Sequence, residues 1–187
     1  MRKIVLVVVC TALTSCGVVP PTLMGMCHEK LGQYQNAIDD FTKAISLDPN
    51  QAENYYSRAC QYTKLRQYKQ AIDDYNKCIS LNPKYAAAYG WRGSIYDTLG
   101  QYQKAVDDYN QWINLEPTNA AAYQRRGNVY TAAGLCWKAV DDCSTAIKLD
   151  PKFALAYATR AIAYKYLNKQ DWAQSDKDMA TKLGYKP

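Results

Sequence analysis

The chain has 187 residues, 48% of them hydrophobic, which is enough for one domain with a sizeable core and too apolar for a disordered chain. Its formal charge of +6 is modest, and its lysines and arginines form no basic run, which argues against a nucleic-acid partner. The 17 tyrosines beside only two phenylalanines favour thin packing layers, in which each ring is buried while its hydroxyl reaches water or a backbone acceptor.

The N-terminal residues have the organisation of an export signal. Arg2 and Lys3 are followed by an apolar stretch at residues 4–13 and then by a short run of small residues that contains Cys16. The apolar stretch is shorter than the ~20 residues that a membrane-spanning helix needs, which argues against a permanent transmembrane anchor. We therefore predict a signal peptide over residues 1–15.

The sequence Leu13-Thr14-Ser15-Cys16 resembles the lipobox of bacterial lipoproteins. The resemblance implies cleavage before Cys16 and acylation of that cysteine. It also implies residence at the bacterial cell envelope, on the periplasmic side of the outer membrane in a Gram-negative cell. Several acyl chains, at ~0.8 kcal/mol per buried CH₂, would anchor the protein firmly. Residues 16–21 would then be the lipidated cysteine and a short tether. The alternative is ordinary cleavage without lipid, which would give a secreted protein.

A periodicity of 34 residues covers the rest of the chain. Prolines recur at that interval, at Pro49, Pro83, Pro117 and Pro151. In the same register a tyrosine is followed by a small residue four positions later and by a second tyrosine three positions beyond. These positions are Tyr55, Ala59 and Tyr62, then Tyr89, Gly93 and Tyr96, then Tyr123, Gly127 and Tyr130. The spacing marks one face of a helix, and a second helix is predicted to start near the alanine that follows, at Ala71, Ala105 and Ala139.

The two helices of each period are predicted to pack through small residues that accept a ring. Gly93 and Ala105 are the predicted holes, and Tyr89 and Tyr96 are the predicted rings. A proline cannot continue a helix, so each second helix is predicted to end just before the recurring proline. Glycines in the left-handed conformation are predicted at the turns between the helices, at Gly32, Gly100 and Gly134.

This pattern of large and small positions resembles the tetratricopeptide repeat (TPR) over residues 18–187. The resemblance implies an all-α fold, an α-solenoid of about five stacked helix-turn-helix repeats that occupies residues 22–187. The repeats are 18–51, 52–85, 86–119, 120–153 and 154–187. The first repeat is degenerate, because Pro21 takes the usual aromatic position and its first helix should start near Thr22. The last repeat is predicted to cap the stack, because Lys177 replaces a large apolar residue.

Charged residues recur in the same register. Arginines precede the small position, at Arg58, Arg92, Arg126 and Arg160. Paired aspartates recur at Asp39-Asp40, Asp73-Asp74, Asp107-Asp108 and Asp141-Asp142. We expect each arginine to pair with an aspartate of the preceding repeat. Because both patterns follow the repeat, we interpret them as architectural.

The sequence offers no catalytic constellation. His28 is the single histidine and occupies a position where the other repeats have tyrosine, so we interpret it as a packing residue. Without a second histidine, neither a serine triad nor a HExxH metal site has its residues. The cysteines follow no disulfide framework, and Cys136 and Cys143 would lie ~10 Å apart on a helix, beyond disulfide reach. We predict a protein that is not an enzyme, with no cofactor, no metal site and no small-molecule substrate.

The resemblance further implies that the first helices of the repeats line a concave groove for a peptide or a partner helix. The predicted groove residues are Tyr56, Cys60, Trp91, Ser94, Gln124, Arg125, Asn128 and Thr159. Trp91 and Arg125 are the expected anchors, because aromatic and arginine side chains dominate interface energetics. Gln124 and Asn128 are expected to bond an extended backbone.

Some family members bind the C-terminal carboxylate of a chaperone through a clamp of Lys, Asn and Arg. Only Arg125 matches that set, so a chaperone tail is disfavoured. The sequence therefore predicts a non-catalytic protein-interaction scaffold tethered at the cell envelope, with a protein or peptide partner. The alternatives are a secreted or periplasmic structural spacer, and an enzyme or small-ligand-binding protein whose site lies between helices.

Overall fold

The computed structural model describes residues 20–186, so the predicted signal peptide, Cys16 and most of the tether lie outside the described residues. The described residues form ten α-helices and no strand. In chain order they are α1 (Pro21–Leu31), α2 (Tyr34–Leu47), α3 (Ala52–Lys64), α4 (Tyr68–Leu81), α5 (Ala86–Thr98), α6 (Tyr102–Leu115), α7 (Ala120–Ala132), α8 (Cys136–Leu149), α9 (Ala154–Tyr166) and α10 (Gln170–Lys182). No helix in this part of the chain combines the length and the apolarity that crossing a membrane requires.

The helices fall into two compact units, Met1–Ala88 and Tyr89–Pro187, with the boundary inside α5. In the first unit α1 packs on α2, α2 on α3 and α3 on α4. In the second unit the pairs α7 with α8 and α9 with α10 stack on one another through α8 and α9, and α7 also contacts α9. Stacked helix pairs joined by short turns are the all-α solenoid architecture that the repeat predicts.

The helix ends follow from local residue chemistry, as predicted. The second helices end at Leu47, Leu81, Leu115 and Leu149, two residues before the recurring proline. Gly32, Gly100 and Gly134 adopt positive φ angles of 77°, 69° and 77°, the left-handed conformation that a glycine accepts without strain. The first helix begins one residue before the predicted Thr22, because the fixed φ of Pro21 suits the first helical position.

Gly93 was predicted correctly as a hole, but the ring that fills it comes from the second helix of the same repeat. Tyr109 of α6 is fully buried, and a Cβ placed on Gly93 of α5 would lie 3.0 Å from its ring. In the first repeat a Cβ on Gly25 would lie 2.9 Å from the ring of Phe41. Each glycine therefore lets a buried ring lie directly against a helix backbone.

The two rings that the sequence placed in these holes, Tyr89 and Tyr96, are only half-buried. Tyr89 lies beneath the guanidinium of Arg92, with the Cζ atom 5.6 Å from the ring centroid. Tyr96 is covered by Lys104, whose Nζ lies 5.4 Å from the ring centroid. Tyr96 also packs against the core cluster of Ala105, Tyr109 and Val129, as its predicted pairing with Ala105 requires. The ring that lies against Gly93 is Tyr109, so the prediction was wrong for Tyr89, which packs against a cation at the rim of the repeat.

Each arginine pairs with an aspartate of its own repeat, 16 residues later in the chain, and not with the preceding repeat as we expected. The closest N–O distances are 2.7 Å for Arg58–Asp74, 2.6 Å for Arg92–Asp108, 2.7 Å for Arg126–Asp142 and 2.7 Å for Arg160–Asp176. The second aspartate of each doublet faces the first helix of its own repeat and is buried, whereas the first aspartate is exposed. The expected pairing was therefore wrong, and it also missed Asp176.

A third nitrogen of the guanidinium makes the contact to the preceding repeat within each unit. Its acceptor is a neutral side chain, again 16 residues away. Nη1 donates to Thr42 from Arg58 at 3.0 Å, to Asn110 from Arg126 at 2.6 Å and to Ser144 from Arg160 at 2.9 Å. One side chain thus joins the two helices of a repeat and links that repeat to its neighbour.

The first repeat replaces this arginine with Met24, and its buried aspartate has a different partner. The Nδ1 atom of His28 lies 2.7 Å from Asp40 Oδ2. This contact supports the interpretation of His28 as a structural residue.

Four cysteines in the described part of the chain are free thiols, at Cys60, Cys78, Cys136 and Cys143. Cys27 is disulfide-bonded, a bond that the cysteine spacing did not predict.

Candidate functional site

In the first unit the two predicted groove residues lie on α3 and take part in internal packing. The ring of Tyr56 lies 4.8 Å from that of Tyr85 and 5.9 Å from that of Tyr75, measured between centroids. The hydroxyl of Tyr75 donates to the Sγ atom of Cys60 at 3.4 Å. Burial raises the pKa of the Cys60 thiol, so it is neutral at physiological pH and poorly nucleophilic.

Two exposed apolar residues of α1 belong to the same surface by register, and sequence reasoning missed them. Leu23 and Met26 stand one period before Ser57 and Cys60, and both are substantially exposed. The 34-residue register could have identified them. The degenerate start of the first repeat drew attention to its prolines instead.

In the second unit three of the predicted residues are exposed on first helices. Trp91 of α5 is 47% exposed, and Arg125 and Asn128 of α7 are also exposed. Ser94 is half-buried beside them on α5. We call these four residues the groove surface of the second unit. They offer a ring, a cation and an amide to a binding partner.

The sequence did not predict that a carboxylate lies next to this surface. The Nδ2 atom of Asn128 donates to Asp97 Oδ2 at 3.4 Å, a long bond between α7 and α5. Burial raises the pKa of Asp97, while the hydrogen bond from Asn128 and the positive charge of Arg125 oppose that rise. Because its hydrogen bond to Asp97 is long, the side-chain amide of Asn128 is only weakly engaged within the protein.

Gln124 and Thr159 lie below the surface, since each side chain is only 3% exposed. Gln124 Nε2 donates to Thr159 Oγ1 at 2.9 Å, which joins α7 to α9. The Oε1 atom of Gln124 is buried and has no hydrogen-bond partner among residues 20–186. The predicted bond of Gln124 to a peptide backbone and the predicted place of Thr159 in the groove stay predictions.

Three open cavities lie beside α9, and two of them share a lining residue. The first has a volume of about 520 Å³ and is lined by uncharged residues, so we call it the neutral cavity. Its lining residues are Asn128, Thr131, Ala132, Gly134, Cys136, Thr159, Ile162 and Tyr166. Tyr166 is 69% exposed and was not predicted as a groove residue.

The second cavity, between α9 and α10, has a volume of about 390 Å³. Its floor is largely alanine, and its cations are Lys165 and Lys177, so we call it the lysine cavity. Neither lysine has an ion-pair partner within the described part of the chain. Ile162 lines both cavities, which are therefore adjacent.

Across the described residues, no three metal-ligating side chains lie close enough together to hold an ion. What the second unit presents is an open surface with a few polar groups and two recesses. Such a surface suits the binding of a polypeptide segment.

Models of the tetratricopeptide repeat match residues 22–51, 52–85 and 74–107, and a further TPR repeat model matches residues 93–134. Together these matches cover more than half of the sequence. The chain belongs to the tetratricopeptide-repeat family. Its family and fold are those of protein-interaction scaffolds, which typically lack catalytic activity.

Solved structures of repeat proteins share this fold. A crystal structure of MamA is 26% identical with a TM-score of 0.80, and the match covers 87% of this chain and 89% of that one. YrrB, described as a TPR protein with an unusual peptide-binding site, is 20% identical with a TM-score of 0.75, covering 89% and 86%. A tetratricopeptide-repeat protein from Parabacteroides merdae is 23% identical with a TM-score of 0.77, covering 89% and 65%. No curated protein matches the sequence.

Proposed function

We propose that the protein is a non-catalytic scaffold that binds a peptide or a partner protein through the first helices of its repeats, and that acylated Cys16 tethers it to the cell envelope. The observation that carries the scaffold function is the groove surface of the second unit. There Trp91 exposes nearly half of its surface, and Arg125, one period later in the chain, is exposed together with Asn128. Tryptophan and arginine supply most of the binding energy in protein interfaces when a partner removes them from water.

The family and the fold support this proposal. Repeat scaffolds bind polypeptides on the surface of stacked first helices, and YrrB, a neighbour by fold, carries a peptide-binding site according to its title. The weak engagement of Asn128 leaves its amide able to bond a peptide backbone. The thiol of Cys60 is held neutral by burial, which favours a packing role for it over chemistry.

The experiment is affinity capture from envelope extract with the purified full chain, followed by binding measurements with each captured protein after its own purification. The test variant is Trp91→Ala with Arg125→Ala. The matched control is Trp137→Ala, because Trp137 is 53% exposed but lies on α8, a second helix. The proposal is supported if a partner binds the wild type and the control with the same affinity and binds the test variant at least about tenfold more weakly. Equal binding by all three proteins would contradict it and favour the structural spacer.

The lipid tether is supported by the residues that surround Cys16. They have the pattern of an export signal followed by a lipobox. A tether that ends where α1 begins, at Pro21, would span at most ~17 Å and hold the first repeat close to the membrane. The test is metabolic labelling with an alkyne fatty acid in a bacterial host. Label and membrane association should both be lost in Cys16→Ser and retained in Cys60→Ser. A mature protein with a Cys16–Cys27 disulfide would contradict acylation, because an acylated sulfur cannot form that bond.

A further inference from the structure

The neutral cavity and the lysine cavity differ in chemistry although they share a wall. We propose that the second unit binds an extended peptide that carries a large apolar side chain and, within three residues of it, an acidic group. The apolar side chain enters the neutral cavity, and the acidic group meets Lys165 and Lys177 in the lysine cavity. This inference rests on the proposed function and specifies the chemistry of the partner.

The neutral cavity favours an apolar guest because it has no charged lining residue and two of its hydroxyl groups are engaged within the protein. The hydroxyl of Thr131 donates to the carbonyl oxygen of Gly127 at 2.9 Å, and Thr159 Oγ1 accepts from Gln124 at 2.9 Å. A charged guest would lose its hydration and meet no counter-charge, while the weakly engaged amide of Asn128 is left to bond the peptide backbone. An apolar guest loses nothing and covers Ile162 and Tyr166, which are otherwise exposed to water.

The lysine cavity selects an anion because its two ammonium groups are uncompensated. Lys165 of α9 and Lys177 of α10 line it, and no carboxylate does. The nearby Asp178 accepts a hydrogen bond from Gln174 Nε2 at 2.7 Å. Two cations in one recess attract an acidic side chain or a C-terminal carboxylate, and the attraction weakens as salt is added.

The shared wall sets the spacing of the two groups on the guest. Ile162 lines both cavities, so the two recesses are adjacent. In an extended chain, residues i and i+2 lie on the same side about 7 Å apart. An apolar residue and an acidic residue at this spacing can therefore occupy the two cavities together.

The experiment is selection of phage-displayed random 12-residue peptides on the purified full chain, followed by Kd measurements on synthesised peptides. We expect the selected peptides to carry an aliphatic or aromatic residue and, within three positions on either side of it, Asp, Glu or a terminal carboxylate. Ala132→Trp, which fills the neutral cavity from an exposed position, should weaken binding at least about tenfold. Lys165→Glu with Lys177→Glu should weaken it by a similar factor, and the loss should shrink in high salt.

Two surface variants on α8, Lys148→Glu and Trp137→Ala, are the matched controls and should leave the affinity unchanged. This inference is overturned, and the scaffold function is not, if the selected peptides lack the apolar and acidic pair. The same holds if they bind both cavity variants as tightly as the wild type. Failure to select any peptide, together with a failed affinity capture, would overturn both. Self-association of the chain that is lost in the cavity variants would identify a second copy as the occupant and would also overturn the inference.

Discussion

The pairing of Arg126 with Asp142 makes a strong prediction, because Arg126 joins the two helices of its own repeat and also bonds Asn110 of the preceding repeat. Nε and Nη2 of Arg126 donate to the two carboxylate oxygens at 2.8 and 2.7 Å, and Nη1 donates to Asn110 at 2.6 Å. The guanidinium also lies 5.8 Å from the ring centroids of both Tyr123 and Tyr130. Arg126→Met removes the charge and these bonds but preserves much of the side-chain volume.

The expected loss follows from the burial of the carboxylate. Asp142 is only 6% exposed, so without Arg126 it is a buried charge with no compensating partner. Removing one member of a buried pair costs ~3 to 5 kcal/mol, and exposed pairs are worth ~0.2 to 1 kcal/mol. We expect Arg126→Met to lower the free energy of unfolding by about 3 kcal/mol, and the double-mutant cycle with Asp142→Asn to give a coupling of ~1.5 to 3 kcal/mol.

The assay is urea unfolding followed by circular dichroism. The chain provides a matched control in the same doublet, since Asp141 is exposed and Asp141→Asn should cost under ~0.5 kcal/mol. A second cycle tests the alternative pairing across repeats. Arg126 and Asp108 should show no coupling, because Asp108 bonds Arg92. A coupling below ~0.5 kcal/mol for Arg126 with Asp142, or an equal coupling with Asp108, would refute the assignment.

Two further predictions concern buried groups. The hydroxyl of Tyr109 is buried and makes no hydrogen bond of standard geometry in the described part of the chain, although the Ser94 side chain is near enough for a weak one. Tyr109→Phe should therefore keep the free energy of unfolding or raise it by up to ~1 kcal/mol, whereas Tyr109→Ala should lower it by ~3 to 5 kcal/mol in urea titrations. A marked loss in Tyr109→Phe would reveal a partner for the hydroxyl. Burial raises the pKa of the Cys78 and Cys143 thiols to about 12. The unfolded chain releases these protons near pH ~8.5, so the free energy of unfolding should fall as the pH rises from there towards 12. An unchanged value between pH 8 and 11 would count against their burial.

The sequence predicted the helices, the turns and the repeat because these depend on local residue chemistry. Proline ends a helix wherever it stands, and Gly134 adopts positive φ because no side chain opposes it. The sequence did not predict which partner a residue meets. Asp108 lies 16 residues after Arg92 and Asp74 lies 18 residues before it. Both separations recur in every central repeat, so periodicity alone cannot distinguish them. The choice depends on how the two helices of one repeat face each other.

In the candidate site, too, the sequence predicted local features but not the contacts between helices. The register placed Gln124 and Thr159 correctly on first helices, but it could not show that α9 packs on α7 deeply enough to cover both side chains. Tyr166 and the two cavities were missed for a related reason. A recess exists only where neighbouring helices leave space between them. Trp91 and Arg125 are easier to predict, because long side chains in the middle of a helix on its solvent side remain exposed whatever the local packing.

The arginine contacts have a consequence for how such a chain can change its length. Each guanidinium finds its counter-charge inside its own period, and the neighbouring period supplies only a neutral acceptor, as Thr42, Asn110 and Ser144 do. Duplication or deletion of one whole period would therefore leave every buried aspartate with its cation. Only a hydrogen-bond acceptor at the new junction would have to be replaced, and several side chains serve equally well. Tandem duplication can thus lengthen the protein without creating an unpaired charge.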